Sequence, residues 1–443
     1  MELKKYKLAD IGKVITGKTP STSIAENYAW GTIPFYTPED VAKGLGMMGR
    51  NSRFISKTGF EEIASNTISG ESVLVGCIGS DMGNVAYSNI TCATNQQINA
   101  ITQFKNGIDP LYVYYLLSTM KSYFQKIAGS TTTPILPKSI FEEIEIHLPD
   151  MKKQKDVVSI LYALDRKIEL NKQINDNLEA MAKQLYDYWF VQFDFPNEEG
   201  KPYKSSGGAM VYNERLKREI PVGWQVENLV DFAEIKNGAT PSTSDDTNYG
   251  GDIVWITPKD LSDQQSKFVY QGERNITKQG LDSCSTSMLP INSVLMSSRA
   301  PIGLISIAKH EVCTNQGFKS FIPKNMEDSI YLYYYIKHHI KQIEQLGTGT
   351  TFKEVSRDDL CKFPILVVGA NETYKQWVEL QDEIANKQFV LTKEIASLTK
   401  QRDELLPLLM NGQASVNYHL YVFSRTHFIL FLSPQKVQNY ERS

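Results

Sequence analysis

Thr19-Pro20-Ser21-Thr22-Ser23 returns letter for letter as Thr240-Pro241-Ser242-Thr243-Ser244, 221 positions later. Outward from this stretch, Leu8-Ala9-Asp10-Ile11 answers Leu229-Val230-Asp231-Phe232, and Ile33 through Asp40 answers Ile253 through Asp260. Ser72-Val73-Leu74-Val75 matches Ser293-Val294-Leu295-Met296, Thr94-Asn95-Gln96 matches Thr314-Asn315-Gln316, and Leu111 through Leu116 matches Ile330 through Tyr335. The offset drifts only from 221 to 219, so loops changed length while the scaffold stayed. Solenoid repeats have a period of roughly 20–50 residues, so this is a duplicated domain. It predicts two similar sites related by approximate two-fold symmetry.

Each copy reads as a globular part followed by a long helix. Residues 1–150 mix short β-rich runs (72–78, 98–104, 144–148) with Gly, Asn and Thr breakers, plus one helical stretch over about 111–127. The same α+β reading recurs at 222–368. From Gln154 to about Phe190, Val157, Leu164, Asn171, Leu178 and Leu185 are spaced by seven, with Ile160, Ile174 and Met181 as partners three residues on. No Pro or Gly interrupts this stretch, which predicts ~37 residues and roughly 55 Å of helix. Asn171 is either a buried amide that fixes register or an exposed residue on an imperfect seam. In the second copy Trp377, Ile384, Leu391, Leu398 and Leu405 repeat by seven, and Asn411-Gly412 offers a C-cap.

Two amphipathic helices of this length pack most simply on each other. The expected fold is therefore α+β: two similar globular domains joined by two long antiparallel coiled-coil helices with pseudo-two-fold symmetry. The domains are 1–150, a helix over 151–195, a linker over 196–221, 222–368, a second helix over 369–416, and a tail over 417–443. The tail has no repeat counterpart. It is either a partner-binding appendage or an unselected extension.

Composition excludes several classes of function. At 443 residues and a net charge of −3, no global basic field advertises a protein that grips nucleic acid alone. Five scattered cysteines without a C-x-x-C pair argue against a disulfide framework or zinc site and fit a cytoplasmic protein. Nothing reaches the ~18 apolar residues of a membrane span. Gly12 through Thr19 spells the phosphate-loop pattern G-x-x-x-x-G-K-[ST], but no buried strand precedes it, Pro20 follows, and the second copy has Ala239 in place of the lysine. His338-His339 lacks metal-ligand spacing. There is no G-x-S-x-G elbow, no dinucleotide fingerprint and no Pro-Pro pair of the kind adenine methyltransferases carry. The chain reads as non-catalytic and without a cofactor of its own.

Groups suited to base edges are plentiful and come in matched sets. The candidate DNA contacts are Lys18, Thr19, Ser21, Thr22, Tyr36, Thr37, Asn95, Gln96, Ser130 and Thr131 in the first copy. In the second they are Thr240, Ser242, Thr243, Thr257, Lys259, Arg299, Asn315, Gln316 and Thr350. Short polar side chains serve base readout, with Arg and Lys for guanine and phosphate.

The run Tyr186-Asp187-Tyr188-Trp189-Phe190-Val191-Gln192-Phe193-Asp194-Phe195-Pro196, then Gly200 through Gly208, then Glu219-Ile220-Pro221-Val222-Gly223-Trp224 closely resembles the central region of type I restriction–modification specificity (S) subunits. Glu404 through Gln413 resembles their C-terminal end. The resemblance covers residues 1 to about 416. It implies two target-recognition domains, each reading half of a bipartite double-stranded DNA sequence. It also implies a helical ruler that docks two methyltransferase (M) subunits, with restriction (R) subunits joining them. S-adenosylmethionine and ATP would be held by those partners. The second copy departs from the pattern by lacking the Pro149-to-Gln154 helix entry of the first. The competing expectations are a stand-alone methyltransferase or nuclease with fused recognition domains, and a duplicated scaffold with no DNA role.

Overall fold

The computed structural model describes residues 3–44, 53–79, 82–128, 134–264, 266–299, 301–349, 353–369, 372–415 and 431–432. Ser130, Thr131, Thr350 and most of the 417–443 tail lie outside them. Two compact units emerge: 1–171 with 395–443, and 172–394. Each therefore holds one globular copy and a stretch of both long helices.

In the first unit, Lys4–Lys7 pairs antiparallel with Glu145–Leu148, so the opening strand closes against the strand that leads into the long helix. Between them lies a four-stranded antiparallel sheet in the order Lys13–Thr16, Ile98–Thr102, Ser72–Gly76, Val85–Ser88. The last three are buried along their whole length, which is why they read as apolar or small-residue runs rather than alternating ones. A smaller sheet sets Ile33–Tyr36 between Phe54–Ile55 and Ala93–Thr94.

The helix expected over 111–127 is two helices, Pro110–Ser118 and Lys121–Ile127. Ser118 Oγ donates to the Tyr114 carbonyl and Thr119 Oγ1 to that of Leu116, both at 2.7 Å, and such back-bonding competes with the helical ladder.

The second unit repeats this plan. Gln225–Asn228 pairs with Pro364–Val367. The main sheet runs Ala233–Asn237, Phe318–Pro323, Val294–Ser297, Ile305–Ala308, Phe268–Val269, and the smaller one Arg274–Ile276, Tyr249–Ile256, Cys313–Thr314.

The long helices are Met151–Tyr186, extended by a π-helical turn at Asp187–Val191, and Glu372–Met410. The second ends as the sequence predicts. Gly412 has φ 67, its N–H bonds to Leu409 O, and Gln413 N–H reaches Leu408 O, a Schellman cap. In each unit the helices run antiparallel. In the first, Leu164 and Ile168 pack with Leu398, and the helix start (Val158, Leu161) with the other's end (Leu409, Met410). In the second, Glu179 meets Gln388 and Ala182 meets Gln381.

The seam differs from the sequence expectation in one respect. Leu164, Asn171 and Ile384 are buried, and Leu178, Leu185 and Leu391 half-buried. The partner column, however, lies mainly four residues on rather than three, although Ile160 of the three-on set is half-buried and packs with Leu164 and Ile168. Leu161, Ile168 and Ala182 are buried, whereas Ile174 and Met181 are 47% and 54% exposed. Asn171 is 6% exposed, which selects the buried-amide reading. Among the described residues of the tail, Phe431–Leu432 pairs with Ala414–Ser415.

Candidate nucleic-acid interface

Both copies build the Thr-Pro-Ser-Thr-Ser loop with the same bonds. Tyr28 OH donates to Pro20 O at 2.7 Å, and Tyr249 OH to Pro241 O at 2.9 Å. The buried amides of Asn27 and Asn248 each donate to the following copy-equivalent carbonyl, Ser21 O and Ser242 O, at 3.0 Å. Ser21 and Ser23 share a hydroxyl bond of 2.8 Å, as do Ser242 and Ser244. At the base of each loop a glycine is required by proximity alone. A Cβ on Gly17 would sit 2.2 Å from Asn95 O, and one on Gly238 2.0 Å from Asn315 O.

That contact brings the first loop against the Thr-Asn-Gln loop. Thr19 Oγ1 donates to Gln96 Oε1 at 2.9 Å, and Thr240 makes the same bond to Gln316. Asn95 and Asn315 turn inward and accept from the backbone two residues on. A third segment joins through Cys77, whose N–H bonds to Gln97 O and whose carbonyl accepts from Leu136. In the second unit Ser298 bonds to Gly317 and Val355, while Arg299 and Thr348 both bridge to Glu354. Segments far apart in sequence thus converge in each unit, and Thr19, Asn95 and Gln96, or Thr240, Arg299, Asn315 and Gln316, belong to the convergence. Lys18, Thr22, Ser242 and Thr243 are exposed on the first loops, and Ser21 is half-buried.

Four of the expected contacts are already engaged within the protein. Tyr36 is fully buried in a core cluster with Val41 and Leu74, and the second copy places Ile256, also fully buried, at its position. Thr37 and Thr257 spend their hydroxyls and amides on Asp40 and Asp260, at 2.9–3.0 Å and 2.6–2.7 Å, as caps of the short helices that Pro38 and Pro258 open. Lys259 is exposed but held by Glu273 at 2.7 Å. The phosphate-loop look-alike runs through the strand Lys13–Thr16, with Gly17 jammed against Thr94 and Asn95, so it cradles nothing.

Lys319 was missed. Its ammonium, almost wholly buried, bonds to Glu354 at 3.0 Å beneath the second convergence. The first copy has Asn99 there, bonded to Thr16, Cys77 and Leu136. The signal is a lysine inside the largely apolar run Phe318–Pro323, a strand buried except at the half-buried Ile322.

Each globular part is seated on the helices by an equivalent tyrosine. Tyr115 OH donates to Asp165 at 2.7 Å, and Arg402 closes the group at 2.9 Å. Tyr334 OH donates to Glu179 at 3.0 Å, with Gln388, Lys267 and Lys337 around it. Burial pushes the Glu179 carboxyl up, but Lys267 and Lys337 together bring it below the usual range. Burial lowers the Lys267 ammonium to about 8 against the pull of Glu179. Asp165 and Glu179 lie two heptads apart on one helix, and Gln388 and Arg402 two heptads apart on the other.

Among the described residues no helix is long and apolar enough to cross a membrane, and no His/Cys/Asp/Glu group could hold a metal ion. The family model for the type I restriction modification DNA specificity domain matches residues 1–180 and 221–407. The chain is 28% identical over 420 residues, 93% of each, to the MjaIX type I restriction enzyme specificity subunit of Methanocaldococcus jannaschii. It is 27% identical over 375 residues, 70% of this chain and 78% of the relative, to the HindI specificity subunit of Haemophilus influenzae. The crystal structure of a type I restriction–modification S subunit from M. genitalium has the same fold, with a TM-score of 0.60 at 14% identity, covering 92% of this chain and 96% of that one.

Proposed function

Since the chain belongs to the type I restriction modification DNA specificity domain family, we propose that it is the specificity subunit of a type I restriction–modification complex. It reads a bipartite double-stranded DNA target, one half-site through residues 1–150 and the other through 222–368. The long helices dock two methyltransferase subunits, and restriction subunits join the assembly. The chain itself is not catalytic: methyl transfer from S-adenosylmethionine and ATP-driven cleavage are the partners' chemistry. The partners also supply much of the positive charge that a chain of net −3 lacks.

The observation that carries this reading is the converging set of loops built twice with the same bonds, Thr19 to Gln96 and Thr240 to Gln316. The base readers we assign are Lys18, Thr19, Ser21, Thr22 and Gln96 in the first unit, and Thr240, Ser242, Thr243, Arg299 and Gln316 in the second. Methylome sequencing of cells with and without the gene tests it. A two-part methylated motif that depends on the gene supports the assignment; identical methylomes in cells that express the cognate methyltransferase refute it.

A further inference from the structure

Trp30 is 97% exposed and has φ 54, a left-handed backbone that a bulky side chain disfavours. The indole is presented by a fixed segment. Ala29 N–H bonds to Ala25 O at 3.0 Å, Ser56 N–H to Asn27 O at 2.8 Å, and a Cβ on Gly31 would lie 2.8 Å from the Ile55 backbone. The second copy shows what the fold itself needs there. Tyr249 repeats Tyr28, and Gly251 repeats Gly31, packed within 2.6 Å of Ile276 O. One residue, Gly250, lies between them where the first copy has two, Ala29 and Trp30, and Gly250 shares the positive φ of Trp30, at 83. A single glycine therefore satisfies the turn in the second copy, whereas the first copy places a tryptophan in water on a hydrogen-bonded backbone. Trp189, Trp255 and Trp377, by contrast, are buried. An aromatic kept at a strained φ and almost wholly exposed is a contact surface for something else.

We propose that Trp30 stacks on, or wedges between, bases of the duplex half-site read by the first unit. This rests on the reading of the chain as a DNA-specificity subunit. Two equivalent methyltransferase subunits would call for matching surfaces on both copies, whereas Trp30 and Gly250 mark a place where the copies differ. Difference between copies is what two unlike half-sites demand. The indole face is sequence-tolerant for stacking, and an apolar wedge favours deformable base steps. Trp30 therefore contributes to one half-site and not to the other.

The test uses the full chain assembled with its methyltransferase, a duplex carrying the motif found by methylome sequencing, and two duplexes with one half-site scrambled each. Trp30→Gly should weaken binding of the intact duplex by about tenfold or more. It should lose discrimination at one half-site only, while its unfolding temperature stays equal or rises because the strained φ is relieved. Trp30→Phe should keep most of the affinity. Unchanged affinity and discrimination in Trp30→Gly would overturn the proposal, as would loss of methyltransferase assembly with discrimination intact, which would make the occupant a protein. A wild-type complex that shows no preference for the motif would overturn the specificity-subunit reading as well.

Discussion

Gly17 and Gly238 show how one residue ties two loops together. Neither has an unusual φ; each is glycine because a carbonyl of the Thr-Asn-Gln loop occupies the place of its Cβ. Gly17→Ala should cost about 1–3 kcal/mol of overpacking and alter modification at one half-site, with Gly238→Ala acting on the other. Denaturant unfolding and methylome sequencing check both parts. Tyr36 gives the opposite case. Its hydroxyl is buried with no hydrogen-bond partner among the described residues, and burial raises its pKa to about 12. Tyr36→Phe should be neutral or stabilising by about 1 kcal/mol and leave the methylated motif unchanged; a changed motif would restore Tyr36 as a reader. The sequence placed Tyr36 in a polar turn but could not show that the turn folds inward over Val41 and Leu74.

Among the elements, the long helices carry the clearest energetic asymmetry. Both carboxylates of the two polar layers, Asp165 and Glu179, come from the first helix, while Arg402 and Gln388 answer from the second. Arg402→Met would leave Asp165 buried with Tyr115 as its remaining bonded partner, and should destabilise the first unit by about 3 kcal/mol, the cost of breaking a buried pair from one side. Lys267 makes the second layer pH-sensitive. An unfolded lysine holds its proton up to about pH 10.5, and the folded one only to about 8. Between those values the unfolded chain carries the extra proton, so stability of the second unit should rise as pH increases from about 8 to 10. Chemical unfolding across that range checks it, and Lys267→Met should flatten the rise. A flat wild-type profile would mean that the Glu179 attraction outweighs burial.

For the whole molecule, the duplication predicts modular reading. Replacing residues 1–150 with the matching part of another family member should change one half of the methylated motif and leave the other; a change in both would refute independence. The helix pair predicts the spacer. Seven residues inserted after Asn171 and seven after Glu394 preserve both seams and add about 10 Å of helix. The gap between half-sites should grow by about three base pairs, at 3.4 Å per base pair. An unchanged gap in an active complex would show that the helices do not set it.

The duplication, the matched loop residues, the two heptad helices and the glycine cap at 412 were all legible in the sequence, because each is local or repeats at a fixed offset. The tertiary structure decided what depends on residues far apart. A seven-residue spacing leaves the partner column open at three or four residues on, and only the facing helix selected Leu161, Ile168 and Ala182 over Ile174 and Met181. Threonines of identical appearance became a loop tie at Thr19 and a helix cap at Thr37, according to whether Gln96 or Asp40 lay within reach. The polar layers joined Asp165 to Arg402 and Glu179 to Lys267. Complementary charge is visible in a sequence, but proximity is set by how the chain folds back, and burial then makes that proximity count.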